Sequence, residues 1–375
     1  MQKKLIFFVF PIKFFLSHRL PIAQKAIEEG YDVHLVSTSG DGESVLSENG
    51  IIFHEVKVTR SKANPFQEVS TIFQVYKIYK KIKPDIVHHI TIKPVLYGTL
   101  AARLARVKSI VNAFSGLGYV FTAKGFKAGI IRNIIKIAYR IILRNKKLTS
   151  IVQNHDDMRF LQSISAIKAD QAVLIKGSGV DLSEFSVKQE PDNIPVVIIP
   201  ARLLKDKGVV EFVKAAEILK NKNIKVRMAL VGDIDVGNPS SVTKKEILNW
   251  VELGWVEHWE FSTNMSETIQ KANVICLPSY REGMPKALIE ATASARAIIT
   301  TDVPGCREMI DLQNINGILI PPKDSLALAT AIEELINDPK KRHQMALNGR
   351  KMAEREFSID QVVDKTLEIY DNLLD

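Results

Sequence analysis

A chain of 375 residues is long enough for two domains, each with a core of its own. Hydrophobic content of 46% and charge of 25% are ordinary for a soluble globular protein, and two cysteines exclude a disulfide framework or a structural zinc. The net charge of +9 is uneven: residues 1–190 hold 28 Lys/Arg against 15 Asp/Glu, and between Asp85 and Asp156 there are 12 Lys/Arg and no acid. Such asymmetry points to an anionic partner for the first half, either a membrane surface or a nucleic acid.

Lys3 and Lys4 precede the apolar run Leu5–Phe10, but Pro11 and Lys13 interrupt it and no small-x-small cleavage site follows. A first buried strand explains it better than a signal peptide. No stretch approaches the length needed to span a bilayer, and a reducing cytoplasm is the natural compartment. The chain then alternates: helix Leu20–Glu29, strands Asp32–Ser37 and Ile51–Val58, helix Phe66–Ile82, strand Asp85–Ile90, helix Val95–Ala105 and strand Ser109–Phe114. A long helix over Lys124–Lys147, a strand at Leu148–Gln153 and a helix near His155–Ser163 complete the first half. The polar, proline-bearing segment Gln189–Pro195 reads as a linker. Beyond it the pattern restarts, with strands at Val196–Pro200, Val226–Gly232, Asn273–Leu277, Ala297–Thr301 and Gly317–Ile320, a helix at Gly208–Asn221, and helical segments from Ser325 to Leu374. This alternation predicts an α/β protein of two doubly wound, Rossmann-like domains with mainly parallel sheets, facing one another across a cleft. The domains are expected at 1–188 and 189–375, the closing helix being free to cross back to the first.

Ser279-Tyr280-Arg281-Glu282-Gly283-Met284-Pro285-Lys286-Ala287-Leu288-Ile289-Glu290-Ala291 follows a buried strand. Pro285 suits the first turn of a helix, and a helix start after such a loop attracts anions. Glu282 lies before that start and Glu290 behind it, and each carboxylate can accept the paired hydroxyls of a sugar or ribose. Taken singly, each reads as a solvated charge. Arg202 ends the first strand of the second half and Lys207 precedes its helix, so both can offer positive charge to a diphosphate. Together these strings resemble the Arg…Lys pair and the Glu-x7-Glu segment of family 4 glycosyltransferases, which have the GT-B fold. The resemblance runs over nearly the whole chain, including Gly177-Ser178-Gly179-Val180-Asp181, Thr91–Gly98 and Asp302–Glu308.

The resemblance implies a donor site formed by Arg202, Lys207, Glu282, Gly283, Met284, Pro285, Lys286 and Glu290. Arg202 and Lys207 would hold the donor diphosphate, Glu282 the transferred sugar and Glu290 the ribose; Arg202, Lys207 and Glu282 are the catalytic candidates. Asp233-Ile234-Asp235 matches the metal-binding Asp-x-Asp of another glycosyltransferase architecture, but it is short and reads as a solvated loop. No metal and no cofactor are expected. In the first half, His18 and Arg19 in the loop Phe14–Pro21, with Ser115 and Gly116 in Phe114-Ser115-Gly116-Leu117-Gly118-Tyr119, are acceptor-binding candidates. Family members that place a His near the second loop contact the sugar with it; here Asn112 and Ser115 stand there instead. Along the long helix Arg132, Lys136, Arg140 and Arg144 recur every fourth residue, with Ile131, Ile134, Ile135, Ala138, Ile141 and Ile142 filling the other side. The basic stripe reads as facing an anionic membrane rather than nucleic acid, for which no recognition motif is present.

The resemblance is most marked to N-acetylgalactosaminyltransferases acting on undecaprenyl-diphosphate sugars. It implies a retaining transfer of a hexose or N-acetylhexosamine, GalNAc foremost, from a UDP-sugar to a polyprenyl-diphosphate-linked acceptor in surface polysaccharide or lipopolysaccharide assembly. The enzyme would be peripheral at the inner face of the cytoplasmic membrane. Two alternatives stand: a UDP-sugar epimerase of the same architecture, and a non-catalytic membrane-binding protein.

Overall fold

The structure is a computed structural model describing residues 2–58, 65–117, 126–144, 147–260 and 262–375. It divides into two compact units, Met1–Ser178 with Ile359–Asp375, and Gly179–Ser358.

In the first unit, strands β1 (Lys4–Phe8), β2 (Asp32–Ser37), β3 (Ile52–Glu55), β4 (Ile86–Ile90), β5 (Ser109–Phe114), β6 (Leu148–Val152) and β7 (Ala172–Leu174) form one sheet. Its order is β3-β2-β1-β4-β5-β6-β7 and its pairings are parallel. Helices α1 (Ile12–His18), α2 (Leu20–Glu28), α3 (Glu43–Glu48), α4 (Pro65–Ile82), α5 (Ile92–Ala105), α6 (Phe126–Ile142) and α7 (His155–Ser163) connect them. Continuous apolar strands such as Leu5–Phe8 are buried because helices cover both faces. One face packs Phe15 of α1, Ile22 of α2 and Tyr370 of the closing helix; the other packs Val75 of α4, Tyr139 of α6 and Leu161 of α7.

The second unit has β8 (Val196–Pro200), β9 (Arg227–Val231), β10 (Glu257–Trp259), β11 (Val274–Leu277), β12 (Ala297–Thr301) and β13 (Gly317–Ile320), in the order β10-β9-β8-β11-β12-β13. Its helices are α8 (Val209–Asn221), α9 (Lys244–Glu252), α10 (Met265–Gln270), α11 (Lys286–Ala293), α12 (Ser325–Asn337) and α13 (Pro339–Glu356). In both sheets the strand order reverses direction once, between β1 and β4 and between β8 and β11. At such a switch point the loops leaving the two strands diverge and open a crevice for ligand.

Two expectations are corrected. The segment Gln189–Pro195 is no free linker: Arg296 donates to the Gln189 carbonyl at 3.4 Å, Asn273 to the Pro191 carbonyl at 2.8 Å, and Arg342 to Glu190 at 2.7 Å. The change of unit falls earlier, at Ser178/Gly179, where Gly177 and Gly179 both have φ of 80°, a conformation glycine adopts without steric cost. The crossing back that the sequence allows does occur, at Ser358/Ile359, so the closing helix α14 (Ile359–Leu374) belongs to the first unit. Second, residues 12–18 are helical rather than loop, because Ile12 and Phe15 bury against the sheet. The helix α9 carries a start signal of its own, Thr243 and Glu246 forming a capping box.

Candidate active site

The second unit assembles its charged residues at the β8/β11 switch point. After β8 the chain runs through Arg202 to a short 3-10 turn at Lys205–Lys207, then enters α8 at Gly208 with φ of 77°. A Cβ at Gly208 would overlap the Pro278 carbonyl, so glycine lets the start of α8 pack against the end of β11. The Tyr280 N–H donates to the Asp206 carbonyl at 2.9 Å, tying the two loops together. The loop after β12 adds a third wall: the Glu282 N–H donates to the Pro304 carbonyl at 3.1 Å, and a Cβ on Gly305 would overlap the Glu282 and Gly283 carbonyls.

This framework brings together residues 75 apart in sequence: Lys207 Nζ lies 2.5 Å from Glu282 Oε1. The Ser279 hydroxyl donates to the same oxygen at 2.7 Å. The two charged side chains are 23% and 12% exposed, so water screens the pair only partly while one side stays open. Lys286 faces Glu290 at 3.5 Å, one turn apart on α11. Burial pushes the Glu290 carboxyl up to about 7, against the opposing pull of the Lys286 charge. Pro285 occupies the N-cap of α11 rather than its first turn. Met284 sends its side chain into the apolar core and Gly283 is buried, so these two can meet a ligand only through their backbone.

Arg202 does not join Lys207. It pairs with Asp235 at 2.6 Å, the two side chains 63% and 31% exposed. Among the described residues, no cluster of three or more His, Cys, Asp or Glu is spaced to hold a metal ion. Two contributors lack any local signal. Glu211, in the first turn of α8, accepts from the Tyr280 hydroxyl at 2.7 Å, and Lys323 lies 4.5 Å from the centre of the Tyr280 ring. Cys306 is buried and its thiol pushed up to about 12 by that burial, which keeps it inert.

The first unit treats its candidates differently. Arg19 is buried and faces Tyr370 and His88, so it presents no group to an acceptor; burial lowers its guanidinium to about 10. His18 is half-buried, stacked on Phe14 with ring centres 4.1 Å apart and 2.6 Å from the Ser17 hydroxyl. Ser115 and Gly116 lie at the carboxyl end of β5, with Gly116 at φ of 88°; Gly118 and Tyr119 fall outside the described residues. Asn112 is committed to the core, accepting from Thr99 at 3.0 Å and lying 2.8 Å from the His89 ring, which also meets the Tyr79 hydroxyl at 3.1 Å.

On α6, Tyr139 is buried in the core and Ile135 packs against it, while Arg140 stays exposed. Lys136 lies over the Phe160 ring and Arg140 donates to the Ile164 carbonyl at 2.5 Å, both toward α7 and its end. Ile134, Ile137 and Ile141 are instead 60%, 54% and 63% exposed. Arg132 is half-buried and Arg144 exposed; Lys124, Gly125, Asn145 and Lys146, included in the expected helix, lie outside the described residues. Among the described residues no helix is long and apolar enough to cross a membrane.

Comparison with known proteins agrees with this architecture. Residues 182–352 match the model of glycosyl transferases group 1, and residues 4–152 that of the glycosyl transferase 4-like family. One relative is the N,N'-diacetylbacillosaminyl-diphospho-undecaprenol alpha-1,3-N-acetylgalactosaminyltransferase of Campylobacter jejuni, 27% identical over 96% of this chain and 98% of that protein. Another is the UDP-Gal:alpha-D-GlcNAc-diphosphoundecaprenol alpha-1,3-galactosyltransferase of Escherichia coli, 24% identical over 91% of this chain and 89% of that protein. A crystal structure of a glycosyltransferase from Rickettsia africae superposes with a TM-score of 0.80, at 22% identity, over 100% of this chain and 99% of the other.

Proposed function

Since the chain belongs to the group 1 and 4-like glycosyltransferases, with the GT-B fold, we propose that it transfers a hexose or N-acetylhexosamine, GalNAc first, from a UDP-sugar to a polyprenyl-diphosphate-linked sugar. The observation that carries this reading is the Lys207–Glu282 pair held at the switch point by Ser279. Breaking the bond between sugar and diphosphate leaves negative charge on the diphosphate. Lys207 supplies a fixed positive charge to that site, and Arg202 a second from the same loop. Glu282, released from Lys207 as the diphosphate takes the lysine, is left to accept the hydroxyls of the sugar. Glu290 in α11 receives the ribose.

The departing diphosphate takes the acceptor's proton, so no side chain has to act as a strong base and no metal has to carry the charge. Attack from the face that the diphosphate leaves keeps the configuration at the anomeric carbon. Support for the donor and acceptor classes comes from the two bacterial relatives, whose names give undecaprenyl-diphosphate sugars and, in one case, UDP-Gal. The lipid acceptor places the enzyme at a bilayer. The contact we assign is the Ile134, Ile137 and Ile141 face of α6, within a region rich in Lys and Arg and free of acids. We assign the acceptor's polar part to Ser115, Gly116 and His18 at the carboxyl ends of the first sheet.

Purified protein incubated with radiolabelled UDP-sugars and polyprenyl-diphosphate-linked acceptors tests the assignment. Label moving into the lipid fraction, foremost from UDP-GalNAc, is the expected result. Conversion of a UDP-sugar without acceptor identifies an epimerase. No turnover of any UDP-sugar, together with unchanged cellular activity in Glu282→Ala, identifies a non-catalytic protein.

A further inference from the structure

The loop after β9, carrying Asp233-Ile234-Asp235, is laced to the Arg202 loop rather than free in solvent. Gly232, at φ of 139°, sits where a Cβ would overlap the Ala201 carbonyl. The Leu203 N–H donates to the Asp233 carbonyl at 3.0 Å, the Lys205 N–H to the Ser240 carbonyl at 2.7 Å, and Leu204 bridges Ser241. Asp235 is itself held: its N–H donates to the Ser241 hydroxyl at 3.2 Å, and Asn238 donates to its Oδ2 at 3.2 Å. That same oxygen receives Arg202 at 2.6 Å.

Each cation assigned above to the donor diphosphate therefore has a carboxylate partner, Lys207 with Glu282 and Arg202 with Asp235. The partners differ in what they do next. Glu282 has a sugar to receive when it is displaced; Asp235 has no such partner and stays fixed by its own loop. The Arg202–Asp235 pair is also the more exposed, at 63% and 31%, and ion pairs so open to water are weak enough for a diphosphate to displace. A carboxylate that remains beside Arg202 then opposes every diphosphate that binds there, the spent nucleotide as much as the donor.

We propose that Asp235 is a built-in counter-ion for Arg202, a positioning residue that competes with the nucleoside diphosphate and so speeds its departure after transfer. This rests on the donor site proposed above, and the test separates the two. Equilibrium binding of UDP is measured for the wild type, Asp235→Asn, Arg202→Ala and the double variant. Asparagine keeps the shape and the contact with Asn238 while removing the charge. The expected result is a three- to tenfold tighter UDP complex in Asp235→Asn, with less than a twofold gain when Arg202 is already absent. In turnover, the donor KM of Asp235→Asn falls by a similar factor and kcat does not rise. Unchanged or weaker UDP binding in Asp235→Asn overturns the proposal, as does an equal gain with and without Arg202, which would be general charge removal. Wild-type protein and all variants failing to bind UDP would overturn the donor site itself, and this inference with it.

Discussion

The two units share one topology and use their polar residues in opposite ways. At the β8/β11 switch point of the second unit, Lys207 and Glu282 meet while still partly exposed, over the buried Ser279 hydroxyl. In the first unit, Arg19, His88, His89 and Asn112 cluster about β1, β4 and β5, yet all four are buried. His88 meets the Tyr370 hydroxyl at 2.6 Å, and His89 is enclosed by Asn112 and Tyr79. Burial pushes His89 down to about 4, so its ring is neutral at ordinary pH. Under the proposed function, the same fold turns polar groups toward a ligand in one sheet and into its own core in the other. Charged groups at strand ends serve chemistry only where the loops keep them at the surface.

That contrast breaks most visibly at Lys207. Lys207→Ala should lower kcat/KM by about 10²–10³-fold, through loss of charge stabilisation at the leaving group, and steady-state kinetics on the lipid acceptor measure it. The melting temperature should fall far less than activity; equal loss of both would make the pair a structural one. His89→Ala should do the reverse. It should cost about 3 kcal/mol of unfolding free energy, by removing the ring and leaving the Tyr79 hydroxyl unpaired, while UDP affinity in the surviving folded protein stays unchanged. Denaturant titration and UDP binding on one preparation compare the two directly.

Glu290 sharpens the comparison through pH. Folding raises its pKa from an ordinary 4.5 to about 7. The protonated carboxyl is the form that folding favours, so its contribution is fully present below 4.5 and lost as pH rises through about 7. Glu290→Gln should therefore gain stability over the wild type across that window, up to about 3 kcal/mol, as melting at pH 5 and pH 8 reads out. UDP affinity should change the other way in the wild type, rising through about pH 7 as the ribose meets an ionised carboxylate, and should be flat in the variant. The smallest effect is expected at Tyr280→Phe. Loss of its hydrogen bond to Glu211 should cost about 1 kcal/mol, seen as a raised donor KM if the loop bearing Glu282 loosens.

Much of this organisation was legible in order along the chain. Apolar runs such as Val196–Pro200 and Val274–Leu277 mark buried strands because parallel strands are covered on both faces. The polar residues that follow them must then lie at strand ends, which put Arg202, Lys207 and Glu282 in loops before any pairing was known. The residues misread share one feature: their surroundings come from distant segments. Arg19 reads as a loop cation until the closing helix returns to the first unit and sets Tyr370 against it. Periodicity gives α6 a basic stripe and an apolar one, but packing decides that Ile135 and Tyr139 face the core while Ile134, Ile137 and Ile141 stay exposed.

The sequence by itself determined the local alternation of strand, loop and helix, and with it which residues stand at the strand ends. These are properties of period, turn chemistry and burial that act over a few residues. Only the tertiary structure decided that β8 lies beside β11 and β9, so that Lys207 meets Glu282 and Arg202 meets Asp235. Strand order follows from how whole faces bury against one another, and ionic partners 75 and 33 residues apart leave no trace in either neighbourhood.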